Sequence, residues 1–302
     1  MPVKCSVCKD RNAIVHLEFS SRYYCEECYT QYFIRKVRET MEKYKMLENV
    51  NKVLVAISGG KDSSALLAAL AEFSNDIEIL PFHIDLGIPG YSERCREAVE
   101  ELCKRLGFKP LIFKLETEGF TMAEVANKYR KPCSPCGTIK RYWMNRVSLE
   151  RGVDIVLTGH NLDDTVEVLF QAYLTGSIQT IAKAKPKLER IGNLIGRAKP
   201  LIRHTDLETL YFSSINEIPF VVAECPYARG SRSLRRKKLI EKIVRDIPNF
   251  KHTFLSTHIR KFQPLLDEKT ELPPLRECIR CGMPASAEVC SYCKLKERIL
   301  KQ

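Results

Sequence analysis

The chain has 302 residues, enough for one substantial core with one or two small modules attached. Lys and Arg outnumber Asp and Glu by 49 to 37, a net charge of +12, and no apolar run approaches the length that crosses a bilayer. The N-terminus, Met1-Pro2-Val3-Lys4-Cys5, has no signal-peptide pattern, so no membrane partner and a cytoplasmic location are expected. The 13 cysteines would suggest a disulfide scaffold in a short secreted chain, but here most stand as C-x-x-C pairs and read as metal ligands.

Residues 1–30 carry Cys5-x-x-Cys8 and Cys25-x-x-Cys28. Each pair can clamp a metal from one tight turn, and four thiolates make the closed tetrahedral site of structural zinc, so a zinc ribbon is expected. So short a module has almost no core of its own, and zinc would supply much of its folding energy. Over 31–50, Tyr32, Phe33, Val37, Met41, Tyr44 and Leu47 lie on one face of an amphipathic helix that links the ribbon to the main domain.

The main domain, residues 51–263, alternates strand and helix. Strands are predicted at 52–58, 77–85, 109–115, 153–159 and 218–223, with helices at 62–74, 92–107, 121–129, 137–151 and 162–175. This is the pattern of a doubly wound α/β fold with a five-stranded parallel sheet, whose ligands sit at the carboxyl ends of the strands. Between the first strand and helix stands Ser58-Gly59-Gly60-Lys61-Asp62-Ser63-Ser64. Two glycines let the backbone approach a ligand, the first helical turn offers free N–H groups, and Ser58, Ser63, Ser64 and Lys61 add hydroxyl donors and a charge, so a phosphate is expected there. The spacing is not that of a Walker A loop, which needs four residues between its first glycine and Gly-Lys-Ser/Thr.

Further along, Lys131-Pro132-Cys133-Ser134-Pro135-Cys136-Gly137 presents two thiols rigidly before a helix, and Cys225 follows the fifth predicted strand. Strand ends converge on one sheet edge, so the three thiols can meet beside the phosphate loop. Three thiolates leave one position of a metal cluster open, where an external ligand such as hydrosulfide can bind; alternatively, Cys133 or Cys136 carries a persulfide that Cys225 resolves. Cys95 and Cys103, on a predicted helix, read as buried or inert. After the fourth strand comes Gly159-His160-Asn161-Leu162-Asp163-Asp164-Thr165-Val166-Glu167. N-capping by acidic residues is an ordinary role for Asp163.

Between Lys183 and Lys261 there are 18 Lys and Arg against 7 Asp and Glu, so nearly all the excess charge falls in one stretch, the footprint of a nucleic acid partner. Lys183, Lys185, Lys187 and Arg197 lie in an irregular segment, 181–204, read as a mobile RNA-contacting loop, and Arg235, Arg236, Lys237 and Lys238 open a helix. Pro264 and Pro273-Pro274 mark a linker. A second expected zinc ribbon, 275–302, holds Cys278-x-x-Cys281 and Cys290-x-x-Cys293.

Ser-Gly-Gly-Lys-Asp-Ser, Cys-x-x-Cys-Gly and Gly-His-x-x-Asp-Asp-x-x-Glu together resemble the tRNA 2-thiolation enzymes of the TtcA/TtuA type in the PP-loop ATP pyrophosphatase superfamily, and the ribbons at both ends narrow the likeness to the TtuA-like and wobble-uridine branch. The resemblance implies ATP held by Ala56, Ile57, Ser58, Gly59, Gly60, Lys61, Asp62, Ser63, Ser64, Gly159 and Asp164, with His83 and Ile84 beside the adenine. It implies Mg²⁺ on Asp163, catalytic roles for Lys140 and Asp164, and a 4Fe-4S cluster on Cys133, Cys136 and Cys225. The reaction implied is adenylation of a tRNA uridine O2, at the T-loop ribothymidine of position 54 in TtuA-like enzymes, then displacement of AMP by sulfur from a ubiquitin-like protein ending in a thiocarboxylated glycine. Paired ribbons support homodimers in that family. The same chemistry on the wobble uridine is the nearest alternative; lysidine-type ligation needs no thiol triad, and a purely RNA-binding zinc-ribbon protein leaves the phosphate loop without a purpose.

Overall fold

The computed structural model describes residues 2–74, 76–228, 230–269 and 274–301. The expected linker prolines fall partly outside them, since Pro273 is not among the described residues. An antiparallel hairpin, β1 (Val15–Leu17) and β2 (Arg22–Tyr24), leads into α1 (Glu26–Lys43). The central domain runs β3 (Lys52–Ala56), α2 (Lys61–Ala71), β4 (Glu78–Asp85), α3 (Ser92–Arg105), β5 (Leu111–Lys114), α4 (Met122–Lys128), α5 (Cys133–Glu150), β6 (Ile155–Thr158) and α6 (Leu162–Thr175). It continues with α7 (Ile178–Ala182), β7 (Lys187–Leu188), β8 (Gly196–Ala198), α8 (Asp206–Ile215), α9 (Arg232–Asp246), α10 (Phe250–Thr257) and α11 (Gln263–Lys269). A second small hairpin, β9 (Arg276–Glu277) and β10 (Pro284–Ala285), precedes α12 (Ser291–Leu300).

The central sheet has the order β5-β4-β3-β6-β8-β7, parallel throughout except for the antiparallel edge strand β7. Alternate residues of β3 face opposite layers: Val53 and Val55 pack with α1, α2, α3 and α8, whereas Leu54 packs with α4, α5 and α12. Chain order reverses direction between β3 and β6, so the crevice at their carboxyl ends is the switch point where such sheets take ligands. A third apolar cluster binds α6 to α7, α9 and α10.

Two expectations are corrected. Residues 218–223 are not the fifth strand: Pro219 has no N–H to give a ladder and Val222 is 86% exposed. The place beside β6 is taken instead by β8, and with β7 the sheet has six strands rather than five. Nor is 181–204 an irregular loop, because β8 pairs with β6 and β7, Ile195 and Ala198 are buried, and a Cβ on Gly196 would stand 2.9 Å from the Leu188 carbonyl oxygen.

Neither ribbon is an independent bead. Tyr24 and Tyr29 of the first, with Phe33 and Val37 of the helix that follows, join the core beneath the sheet, and Tyr292 and Ile299 of the last join Tyr142 and Trp143 above it. A buried charge pair anchors α1 to α8. The Lys36 ammonium lies 2.6 Å from the Glu208 carboxylate, which also accepts from the Tyr32 hydroxyl at 2.9 Å and from the Thr205 N–H at 2.8 Å. Burial alone would raise the Glu208 carboxyl, but Lys36 and then His204 hold it down at about 2. Removing one partner strands the other charge, so Glu208→Leu or Lys36→Met alone should cost ~3–5 kcal/mol in urea unfolding and the double replacement much less. A double variant as unstable as the sum of the singles would contradict this account.

Candidate active site at the switch point

The segment after β3 extends the sheet for one residue, Ile57 N–H donating to the Phe82 carbonyl at 2.8 Å, and then turns. Gly59 has φ +82° and a Cβ there would lie 2.7 Å from Cys95 Cα, so only glycine fits against α3. Inside the turn, Ser63 Oγ accepts from the Ser58 N–H at 3.1 Å and Ser58 Oγ accepts from the Gly60 N–H at 3.3 Å. No side chain caps α2, which leaves its first-turn N–H groups for an anion. Gly159, at the end of β6, comes so close that a Cβ would stand 2.7 Å from the Ser63 nitrogen. Ala56, Ile57, Ser58, Gly59, Gly60, Ser63, Ser64 and Gly159 therefore belong to one junction.

His83 is buried beneath it. Its Nδ1 lies 2.9 Å from the Ile57 carbonyl oxygen, its Nε2 has no partner, and burial lowers its proton affinity. Ile84 is half-buried beside it on β4.

The charged residues near the loop are tied to one another. Lys61 Nζ is 2.6 Å from Asp206 and 2.9 Å from Asp62, and Asn161 Nδ2 reaches the same two carboxylates at 3.4 and 3.2 Å. Thr209 also donates to Asp62. Burial raises the Asp62 carboxyl although Lys61 pulls it down. Asn161, Asp206 and Thr209 were not singled out from the sequence. Asn161 sits within the quoted Gly-His motif, and Thr205-x-x-Glu208 is a capping-box pattern that places Asp206 on a helix start.

Asp163 and Asp164, neighbours in sequence, serve different ends. Asp163 is buried, with one oxygen accepting the Asp206 N–H at 2.8 Å and the other paired to Lys251 at 2.5 Å. Both oxygens are occupied in joining α6 to α8 and α10, which does not match the expected magnesium ligand; the carboxylates that line the loop are Asp62 and Asp206. Asp164 caps α6 reciprocally with Asn161 and lies 2.5 Å from Lys237. Burial would raise its carboxyl, but Lys237 and then His160 hold it low.

The three thiols do gather at this edge, though not as strand ends. α5 starts at Cys133, four residues earlier than predicted, because Pro132 and Pro135 suit the first turn of a helix, where N–H groups have no intrahelical acceptor. Cys133 and Cys136 thus occupy one helical turn, and Cys133 Sγ lies 3.7 Å from the Tyr227 carbonyl oxygen, two residues after Cys225. The segment before Cys225 is held by the Val221 N–H, which donates to the Gly59 carbonyl at 2.8 Å. Burial pushes the Cys136 thiol up, Lys140 draws it down, and Cys225 and Cys133 each push it further up. Cys133, Cys136 and Cys225 are not among the groups whose sulfurs lie within 4.8 Å of one another, unlike the two terminal tetrads. Cys95 is buried, as expected, but beside the site: Lys140 and Cys225 both influence its thiol.

Each terminal tetrad, Cys5, Cys8, Cys25 and Cys28 or Cys278, Cys281, Cys290 and Cys293, brings four sulfurs within 4.8 Å of one another. Burial opposes ionisation, yet backbone N–H groups draw Cys5 and Cys278 down to about 6, and thiolates at such spacing fit one tetrahedral zinc each.

Of the basic residues, Lys183, Arg235 and Lys238 are exposed. Lys185 pairs with Asp267 at 2.5 Å, and Lys187 donates to the Lys45 carbonyl at 2.9 Å. Arg197 is half-buried on β8, Arg236 pairs with Glu167, and Lys237 with Asp164.

A strand, a glycine loop and an uncapped helix at a switch point define a nucleotide-binding α/β domain. The model of the PP-loop domain family matches residues 29–243, and the chain belongs to that family. It is 37% identical to the tRNA-5-methyluridine(54) 2-sulfurtransferase of Pyrococcus horikoshii over 97% of this chain and 93% of that one, and 35% identical to that of Thermus thermophilus over 99% and 92%. The U34-tRNA thiolase NcsA of Methanococcus maripaludis, solved with its [4Fe-4S] cluster, superposes with a TM-score of 0.81 at 28% identity, covering 98% of this chain and 96% of that one.

The loop geometry separates its two glycines. Gly59→Ala should impose strain of ~1–3 kcal/mol and weaken ATP binding about tenfold or more in calorimetry. Gly60→Ala, whose added methyl meets nothing nearer than Ser58 Oγ at 3.4 Å, should bind ATP nearly as wild type. Equal losses in both variants would mean that the contact with Cys95 does not shape the loop.

Proposed function

We propose that the protein is an ATP-dependent tRNA-uridine 2-sulfurtransferase. One observation carries the reading: the Val221–Gly59 hydrogen bond ties the Cys225 segment to the phosphate loop, so nucleotide chemistry and thiol chemistry share one crevice. A fold that only gripped RNA would need no such link.

In this reading the α2 N-terminus and the loop hydroxyls hold the ATP phosphates, with Mg²⁺ beside Asp62 and Asp206. The uridine O2 attacks the α phosphorus; the new P–O bond replaces the bond to pyrophosphate, and the oxygen becomes part of an AMP leaving group. Lys140, on the helix that carries Cys133 and Cys136, faces charge developing on the phosphate or on O2. Asp164, kept ionised by Lys237, orients the reacting groups. An iron–sulfur cluster on Cys133, Cys136 and Cys225 would supply an iron without a protein ligand, where sulfide can be presented to the activated C2. Formation of the C–S bond and departure of AMP complete the exchange. Position 54 of the T-loop is favoured over the wobble uridine by the higher identity to the enzymes named for position 54. The sulfur source proposed is a small protein ending in a thiocarboxylated glycine.

The test is ATP-dependent pyrophosphate release with tRNA, measured beside iron, sulfide and zinc content after anaerobic purification. Wild type should release pyrophosphate, thiolate tRNA and contain iron and zinc. Cys225→Ala should lose iron and thiolation yet keep zinc and ATP binding. If that variant loses ATP binding, the cysteine is structural; if thiolation proceeds in iron-free protein, the persulfide route replaces the cluster.

A further inference from the structure

Away from the thiols, the first ribbon, α1, α10 and the segment before α8 line a solvent-open cavity of about 200 Å³. Phe19 comes from the ribbon, Arg35, Lys36 and Glu39 from α1, Arg203 from the segment before α8, and His252 from α10. We propose that this cavity binds a phosphodiester group of an RNA backbone, gripped by Arg203 and Lys36, with His252 in its wall as a reporter. The proposal rests on the tRNA reading above and adds a contact point to it.

The argument is one of unsatisfied groups. Arg35 has a partial counter-ion, Glu39 at 3.6 Å, and Lys36 has Glu208 on its inner side. Arg203 makes no ion pair and no side-chain hydrogen bond among the described residues. His252 Nε2 is buried with no hydrogen-bond partner. A half-buried guanidinium without a counter-ion, beside the Lys36 ammonium on one small cavity, calls for a ligand that brings acceptor oxygens and negative charge. The aromatic walls hold the polar groups in place: Phe19 packs on the His252 ring at 4.2 Å, and Lys36 Nζ stands 5.1 Å from the Phe19 ring centre and 5.4 Å from that of Tyr32. Burial draws His252 down to about 4, with Lys36 and Arg203 lowering it further and Glu208 and Asp163 opposing them.

Size and place choose among anions. Pockets for drug-sized molecules start at ~300 Å³, and this one is smaller, with room for a phosphate and the edge of a sugar rather than a whole nucleotide. Arg203 lies within the basic stretch 183–261 and three residues before Asp206, whose carboxylate binds Lys61 of the phosphate loop. A backbone phosphate held here would fix the RNA against the same segment that closes the nucleotide crevice, which is the positioning work that phosphate contacts do.

The experiment compares wild type with Arg203→Gln and with Arg35→Gln, an exposed change that serves if the first variant melts early. Affinity for tRNA is measured against salt, and the His252 imidazole ¹⁵N resonance, assigned with His252→Gln, is followed while inorganic phosphate is added. Expected are a five- to tenfold loss of tRNA affinity in Arg203→Gln, a salt slope shallower by about 0.7–0.9, and a phosphate-dependent shift of His252 in wild type that the variant lacks. A phosphate-induced shift with unchanged tRNA affinity and slope would make this a free-phosphate site and overturn the RNA assignment. No shift and no loss would overturn the anion site altogether. Wild-type protein that does not bind tRNA would sink the thiolase reading itself, an outcome distinct from normal binding by the variants.

Discussion

The close approach of backbones at Gly59 is the constraint on which the rest of the site depends. Three elements meet there with no room for a side chain: α3 through Cys95, the Cys225 segment through Val221, and, one turn on, the β6 end through Gly159 against Ser63. Each contact is made by main-chain atoms, which do not hop between rotamers. The loop's N–H groups, the switch point and the segment bearing the third thiol are thereby held in one fixed relation, as a catalytic site must be.

Around that junction, charge is distributed by pairing rather than by exposure. The +12 of the chain suggests an open basic face, yet several of its strongest candidates are spent inside the molecule: Lys237 on Asp164, Arg236 on Glu167, Lys251 on Asp163, Lys36 on Glu208. These pairs join α9, α10 and α1 to α6 and α8, so the basic stretch is partly the mortar of the helical layer. Exposed basic residues still available to a polyanion include Lys183, Arg190, Arg232, Arg235, Lys238, Lys242 and Arg245, a more selective surface than a count of Lys and Arg conveys.

This explains which parts were legible from sequence. The phosphate loop was, because glycines after a buried β-branched run have few other uses, and so were both tetrads, because paired C-x-x-C spacing has few structural alternatives. The sheet's fifth position was misread because Phe220, Val221 and Val222 carry strand propensity while Pro219 cannot join a ladder, and β8 is three residues long with a glycine and an arginine. The partners of Asp163 and Asp164 were invisible for a different reason: adjacent residues on a helix point about 100° apart, and which faces Lys251 and which faces Lys237 is decided by helices about 70 to 90 residues away. Local pattern identifies an acidic helix start; only packing assigns the two carboxylates.

The cysteines show how one motif divides into two kinds of site. In both ribbons the third cysteine, Cys25 or Cys290, is the N-cap of a helix and the fourth, Cys28 or Cys293, lies in its first turn; in α5 the N-cap is Pro132, and Cys133 and Cys136 follow within the first turn or so. Burial raises the thiols of Cys28, Cys293 and Cys136 at these helix starts, so a bound metal would have to supply the charge that keeps them ionised. What differs is the second half of the set. Each ribbon supplies another C-x-x-C knuckle that brings four sulfurs within 4.8 Å of one another, the closed geometry that suits a structural metal. At α5 the complement is a single cysteine on a segment pinned to the phosphate loop, with the buried Cys95 beside it. Four thiolates seal a metal; three, beside the phosphate loop, would leave a cluster one ligand short, and the proposed chemistry depends on that open position.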